Sequence, residues 1–437
     1  MELLDELVAR YDVPGAAVAV GHGDTLIEAA TGVLNRDTGV EATADSVFQI
    51  GSVTKVWTAA LVMQLVDQGL VELDEPVRRY LPAFAVVDPE ASATVTVRQL
   101  LLHTGGFDGD LFEDTGRGDE ALDRYLEYLR DHATQVSPPG ELYSYSNSGY
   151  AVLGALVASL RGDVFESVLR ERLIEPLGAG HMALLAEEAI LFRAAAGHVR
   201  GEVARPWQMP RSLAPAGATA CAAPRDLVRF GRLFLDGGGT LLSPGSVAAM
   251  TSRQLTLPGV PVHGAGHRGL GVTLFEWDGA AAYGHDGDTI GQATVWRVVP
   301  DHDLVVAICA TGAGSVGFFD ELLAGIVRER TGLTIPARPV PPAGPHAPGP
   351  ARFAGRYDFP LGSYEIVPAD DGLEVTASPR GLAAAAGESP GTRRYVALAG
   401  TTFISTEPSQ GCFDTFTILG DGRYLFGGRL ARRVVPT

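Results

Sequence analysis

Ser52 and Lys55 stand three residues apart in Gly51-Ser52-Val53-Thr54-Lys55, where an apolar helical stretch begins. Residues i and i+3 share a helix face, so this spacing can bring an amine against a hydroxyl. A serine is a poor nucleophile until a neighbouring base takes its proton, and an amine in an apolar pocket can lose its charge and serve as that base. Backbone N–H groups at the helix start can hold an oxyanion. Of the 34 basic residues, Lys55 is the only lysine and all others are arginine. A guanidinium cannot be deprotonated in a protein, so the retained lysine marks a position where arginine cannot serve.

Two further segments carry chemistry. Tyr145-Ser146-Asn147 lies between Pro138-Pro139-Gly140 and Gly149-Tyr150. A phenol beside an amine can shuttle a proton, and an asparagine donates and accepts at once. The third is His285-Asp286-Gly287, followed by Asp288. Its glycine permits close approach of a substrate, and the next backbone N–H can complete an oxyanion hole. Each segment alone also has a plainer reading: a serine N-cap with a surface lysine, a turn before a helix, a polar turn.

Positioning these groups takes a large fold, and 437 residues of which 46% are hydrophobic allow more than one domain. Strand-like runs at 16–20 and 25–30 flank a His-Gly-Asp turn, and a helix is predicted from about Val53 to Gln68. Helical patterns dominate from about 70 to 235, notably 120–129, 149–160 and 226–235. Strands return at 271–276, 293–299 and 304–309, before a helix at 319–330. Strands at both ends with helices between predict an α+β fold: an antiparallel sheet with helices on both faces and a helical subdomain. Residues 336–350 hold seven prolines and read as a stiff linker. The remainder, 351–437, is strand-like and turn-rich, a small all-β barrel or sandwich. The predicted division is thus 1–335, 336–350 and 351–437.

In this order the three segments resemble the serine β-lactamase and penicillin-binding-protein superfamily: S-x-x-K, then Y-x-N, then a K-T-G or H-x-G strand. Leu101-Leu102-His103-Thr104-Gly105-Gly106 is similar to the family's LLxHTSG stretch, and Ala214-Pro215-Ala216-Gly217 with Asp226-Leu227 to its PAGG…DL stretch. The resemblance, closest to the class C type, runs from about residue 10 to 330. It implies that Ser52 is acylated, that Lys55 and Tyr145 share the base and acid roles, and that Asn147 holds Lys55 and the substrate amide. His285 would line the opposite wall, beside Gly287, and the N–H groups of Ser52 and Asp288 would form the oxyanion hole. One departure bears on substrate. His285 and Asp286 replace the basic and hydroxyl residues that grip a β-lactam carboxylate, and an inward-pointing Asp286 would repel it.

Composition narrows the partners. The net charge of −18, with no basic run, excludes a phosphate-binding surface and so nucleic acid. Cys221, Cys309 and Cys412 are far apart and odd in number, giving neither zinc spacing nor a disulfide framework. No metal or other cofactor is expected. The N-terminus has no secretory pattern and no apolar run reaches membrane-spanning length, so the expectation is a cytoplasmic protein without a membrane partner.

The two-part layout resembles penicillin-binding-protein-type thioesterases, which carry a lipocalin-like C-terminal domain. That resemblance implies release or macrocyclisation of a nonribosomal peptide, the substrate being a small-molecule or peptide acyl ester, thioester or amide, carrier-protein-bound peptides included. An esterase, a D-aminopeptidase or a weak β-lactamase using water is the alternative, and a once-acylated penicillin-type receptor a third. Arg429, Arg432 and Arg433 cluster near the C-terminus, and Arg432 is the expected one to reach the cleft and orient the nucleophile or a substrate carbonyl or carboxylate.

Overall fold

The computed structural model of the chain describes residues 2–312, 316–385, 389–409 and 411–434. Helix α1 (Glu2–Arg10) precedes the hairpin β1 (Gly15–His22) and β2 (Thr25–Asn35) and the short β3 (Val40–Glu41). After the helical region come β4 (Leu255–Thr256), β5 (Ala265–Arg268), β6 (Thr273–Trp277), β7 (Ala280–Asp288), β8 (Gln292–Val299) and β9 (Leu304–Thr311). They form one antiparallel sheet in the order β3-β2-β1-β9-β8-β7-β6-β5-β4. The two sequence ends meet where β1 pairs with β9, Ala16 opposite Ala310 through His22 opposite Leu304.

Both faces of this sheet are covered, so the adjoining strands β1 and β9 are almost wholly apolar. Val18, Val20, Val306 and Ile308 face a cluster with Leu4 and Leu7 of α1 and with Phe318, Leu322 and Val327 of α6 (Val316–Thr331). Ala17, Ala19, Ala307 and Cys309 face the other side, the larger core. There α2 (Thr54–Asp67), α3 (Ala121–His132), α4 (Asn147–Arg161) and α5 (Pro224–Leu235) gather. Helix α2 is buried around its whole circumference from Thr54 to Leu65, as a helix apolar on all sides must be. Trp57 stacks on Phe230 of α5 at 3.9 Å and fixes its rotation.

Residues beyond α6 have no regular structure up to a short turn at 351–353. Eight strands follow, from β10 (Gly355–Phe359) to β17 (Leu430–Arg433), each antiparallel to the next, and β10 pairs with β17 to close a barrel. Closure leaves no free edge, which is how a domain this small avoids pairing with other chains. Phe353, Ile366, Phe403 and Phe416 fill its interior. The α+β class and the lipocalin-like barrel thus agree with the sequence reading. Two local readings change. Helix α4 begins at Asn147, capped by the Ser146 hydroxyl accepting from the Gly149 N–H, rather than at Gly149. The segment that alone reads as a polar turn, 283–288, is the end of the nine-residue strand β7. No helix among the described residues is long and apolar enough to cross a membrane.

Candidate active site

Residues 51–53 make one 3₁₀ turn that runs directly into α2, and this turn sets Ser52 above Lys55. Gly51 has φ +51°, and a Cβ there would come within 2.6 Å of the Asp288 backbone nitrogen. A Cβ on Gly287 would lie 1.9 Å from the Ile50 carbonyl oxygen and 3.0 Å from the Ser52 nitrogen. Glycine at both positions is what lets the end of β7 press against the Ser52 backbone. That contact brings the Ser52 and Asp288 backbone nitrogens, the pair named from the sequence, into the same part of the fold. Gly287→Ala is expected to push β7 away and lower kcat/KM by about tenfold or more, through loss of oxyanion donation. The check is steady-state kinetics alongside thermal melts that report a folded protein.

Lys55 is fully buried. Its Nζ lies 2.9 Å from Ser52 Oγ, 2.7 Å from Asn147 Oδ1 and 2.6 Å from the Ala216 carbonyl oxygen. Burial, helped by the positive charge of Arg429 and opposed by Asp110, drives the amine well below the ordinary lysine value. Tyr145 moves the opposite way. Burial pushes its phenol far above the usual range, Ser52 and nearby arginines pulling only partly back. Among the described residues its Oη completes no well-formed hydrogen bond, Ser52 being the side chain that acts on it, while Lys55 Nζ sits 4.8 Å from the ring centroid. A group that sheds its proton easily therefore stands beside one that keeps it, and such a split separates a base from an acid.

The supporting residues explain how these side chains stay in place. Asn147 accepts from Lys55 with Oδ1 and donates from Nδ2 to Asp110 at 2.7 Å, so its amide has one orientation. Asp110 is in turn paired with Arg429, whose guanidinium carbon lies 5.1 Å from the Tyr145 ring centroid. His103 stacks on Tyr145 at 4.4 Å and accepts the Ser146 N–H at Nδ1. His285 bonds its own chain, Nδ1 to the Asp286 carbonyl oxygen at 2.5 Å, and among the described residues Nε2 has no partner. Since a carbonyl only accepts, Nδ1 carries the hydrogen and Nε2 presents a lone pair. Burial first, then Arg268 and Lys55, hold both histidines well below their usual range, so both are neutral.

The structure brings together Ser52, Lys55, Tyr145, Asn147, His285, Gly287 and Asp288. It does not bring Arg432, which is the exposed partner of Asp358 and Tyr424 in the barrel ladder. Arg429 enters instead, because the turn before β17 lies on the Tyr145 segment: the Tyr145 N–H donates to the Gly428 carbonyl, and the Leu430 N–H to Ser144 Oγ. Asp286 does not point inward. Alternation along β7 turns it to the far face, where it pairs with Arg297 at 2.6 Å, so it does not repel a carboxylate in the cleft. Sequence reasoning missed Asp110 and Arg268 and gave no role to His103. Only His103 had a signal, the Leu101–Gly106 stretch.

Comparison with known proteins is consistent with this arrangement. The Beta-lactamase family model matches residues 2–328. Penicillin-binding protein 4 of Amycolatopsis lactamdurans is 43% identical over 372 residues, covering 82% of this chain and 96% of its own. Among solved structures, SurE with D-Leu superposes with a TM-score of 0.78 at 28% identity, over 99% of this chain and 98% of that one. D-amino acid amidase from Ochrobactrum anthropi SV3, complexed with D-phenylalanine, gives 0.64 at 25% identity over 75% and 98%.

Proposed function

The chain belongs to the Beta-lactamase family, whose serine enzymes are hydrolases, and on that premise we propose that it is a stand-alone thioesterase that releases or macrocyclises a nonribosomal peptide. Ser52 attacks the thioester carbonyl while neutral Lys55 takes its hydroxyl proton, and the N–H groups of Ser52 and Asp288 hold the oxyanion. The Tyr145 phenol gives its proton to the departing thiolate and is reprotonated by way of Lys55. A peptide amine then attacks the Ser52 ester, the Ser52 oxygen regains a proton, and a lactam leaves. Asn147 fixes Lys55, and neutral His285 lines the facing wall.

The observation that carries the reading is Arg429. A barrel outside the matched family region contributes a cation to the wall beside Tyr145 and Asp110, which water as acceptor would not require. The D-leucine complex of SurE and the name of the D-amino acid amidase fit a D-configured acyl residue at Ser52. The test offers the enzyme a short peptidyl thioester ending in a D-residue. A product lighter than the free acid by one water, absent with Ser52→Ala, is expected. Free acid alone would assign the chain to the esterase or D-aminopeptidase alternative, and a persistent protein adduct would mark a receptor.

A further inference from the structure

Strand β7 has a second occupied face. His285 looks toward Tyr145, and Asp286 looks away into a cavity of about 190 Å³ between the sheet and α6. The interior of that cavity is apolar: Trp277 from β6, Val295 from β8, Phe319 and Leu323 from α6, and Ile335 beyond it. Its charges are carboxylates and guanidiniums in unequal number. Arg297 is committed to Asp286, and Arg338 to Asp320, which His263 also contacts at 3.0 Å. Asp288 is the remaining one. Among the described residues it forms no ion pair and no side-chain hydrogen bond. Enclosure by the surrounding protein and the neighbouring Asp286 push its carboxyl up to about 6, Arg429 pulling only partly back. Above that value it is an anion with no bonded counter-charge, Arg429 acting on it only from a distance, on an exposed residue at the rim.

Apolar walls with one unanswered carboxylate at the mouth are complementary to one kind of ligand, an ammonium attached to a hydrophobic group. We propose that this cavity is the acceptor subsite of the reaction: it takes the N-terminal residue of the incoming chain, with its apolar side chain between Trp277 and Leu323 and its ammonium on Asp288, whose carboxylate takes one proton so that the free amine attacks the Ser52 ester. Free carboxylates meet a net negative rim here and are disfavoured. The arrangement has a consequence for catalysis. Asp288 gives its backbone N–H to the acyl centre and its side chain to the acceptor, so one residue connects the two substrates. This inference rests on the aminolysis reading above.

The experiment uses the full chain and two arms. In the first, calorimetry compares leucinamide with 4-methylpentanamide, the same skeleton lacking the ammonium. Leucinamide is expected to bind wild type at least about tenfold tighter, and Leu323→Trp, which fills the cavity, to abolish this. Equal affinity for the two amides overturns the proposal without any variant. In the second, a peptidyl thioester is supplied with leucinamide or glycinamide as competing acceptors. Wild type is expected to favour leucinamide by about tenfold, and Leu323→Trp to lose that preference while thiol release stays within about twofold. No preference in wild type removes the subsite while leaving the thioesterase reading intact. Thiol release no faster than with Ser52→Ala removes that reading and the acceptor role with it.

Discussion

Lys55→Arg should lower the rate of Ser52 acylation by about 10⁴, comparable to removing the base from other serine enzymes. The argument is one of protonation rather than size. Lys55 is enclosed by Asn147, the Ala216 carbonyl and two tyrosine rings, and burial depresses its pKa well below 10.5. Wild-type kcat/KM should therefore rise with pH along a limb placed well under the ordinary lysine range, because the amine becomes a base as it loses its proton. Arginine at position 55 stays charged throughout, so the variant should be slow at every pH and show no such limb. Thiol release from a peptidyl thioester, followed across pH, measures the rate, and intact-protein mass measures the acyl adduct. Lys55→Met serves as a control of similar bulk without a charge, distinguishing loss of the base from the cost of burying a guanidinium. A Lys55→Arg enzyme within about tenfold of wild type, or one keeping the wild-type limb, contradicts the role given to the amine.

The Ser52–Lys55 pair was legible because it is local: three residues of helix place it, whatever the rest of the chain does. The sheet was legible because β1 and β9 are buried on both faces and so read as nearly continuous apolar runs, and β8 is buried along its length with only Gln292, Thr294 and Arg297 interrupting the pattern. Strand β7 was harder. Glycines at 284 and 287 and polar residues at 285, 286 and 288 imitate a turn, yet each glycine answers a close backbone approach, to Trp296 for one and Ile50 for the other. Reading those residues as a strand would have separated His285 from Asp286 at once, since adjacent residues face opposite sides. Asp110 and Arg268 leave no pattern. One sits in an irregular loop, the other ends a four-residue strand, and both matter only through tertiary contacts. The choice among Arg429, Arg432 and Arg433 was of the same kind. It depends on which barrel turn rests on Ser144 and Tyr145, a docking that no local periodicity encodes.

That docking gives the second large effect. Arg429→Met leaves the Asp110 carboxylate, 3% exposed at its side chain, with the Asn147 amide and no cation. Removing one partner of a buried pair costs about 3–5 kcal/mol; Arg429 keeps an open flank, so about 2 kcal/mol is the expected loss on denaturant unfolding. The catalytic effect has a definite sign. Arg429 lowers the Lys55 pKa and Asp110 raises it, so deleting the arginine lets the carboxylate act unopposed and retains the proton on the amine. The pH–rate limb should then move toward alkaline pH, and kcat/KM near neutrality should fall by about 10², with aminolysis losing more than acylation because the cleft wall loses its cation. Asp110→Asn in the same chain should restore most of the stability and return the limb toward its wild-type position, whereas the product ratio should stay disturbed, since no cation has returned. Arg432→Met, altering an exposed barrel residue, should change none of the three. Denaturant melts, pH–rate profiles and product masses on the four proteins decide the matter. An unmoved limb in Arg429→Met, or a double variant no more stable than the single one, would show that the pair does not tune Lys55.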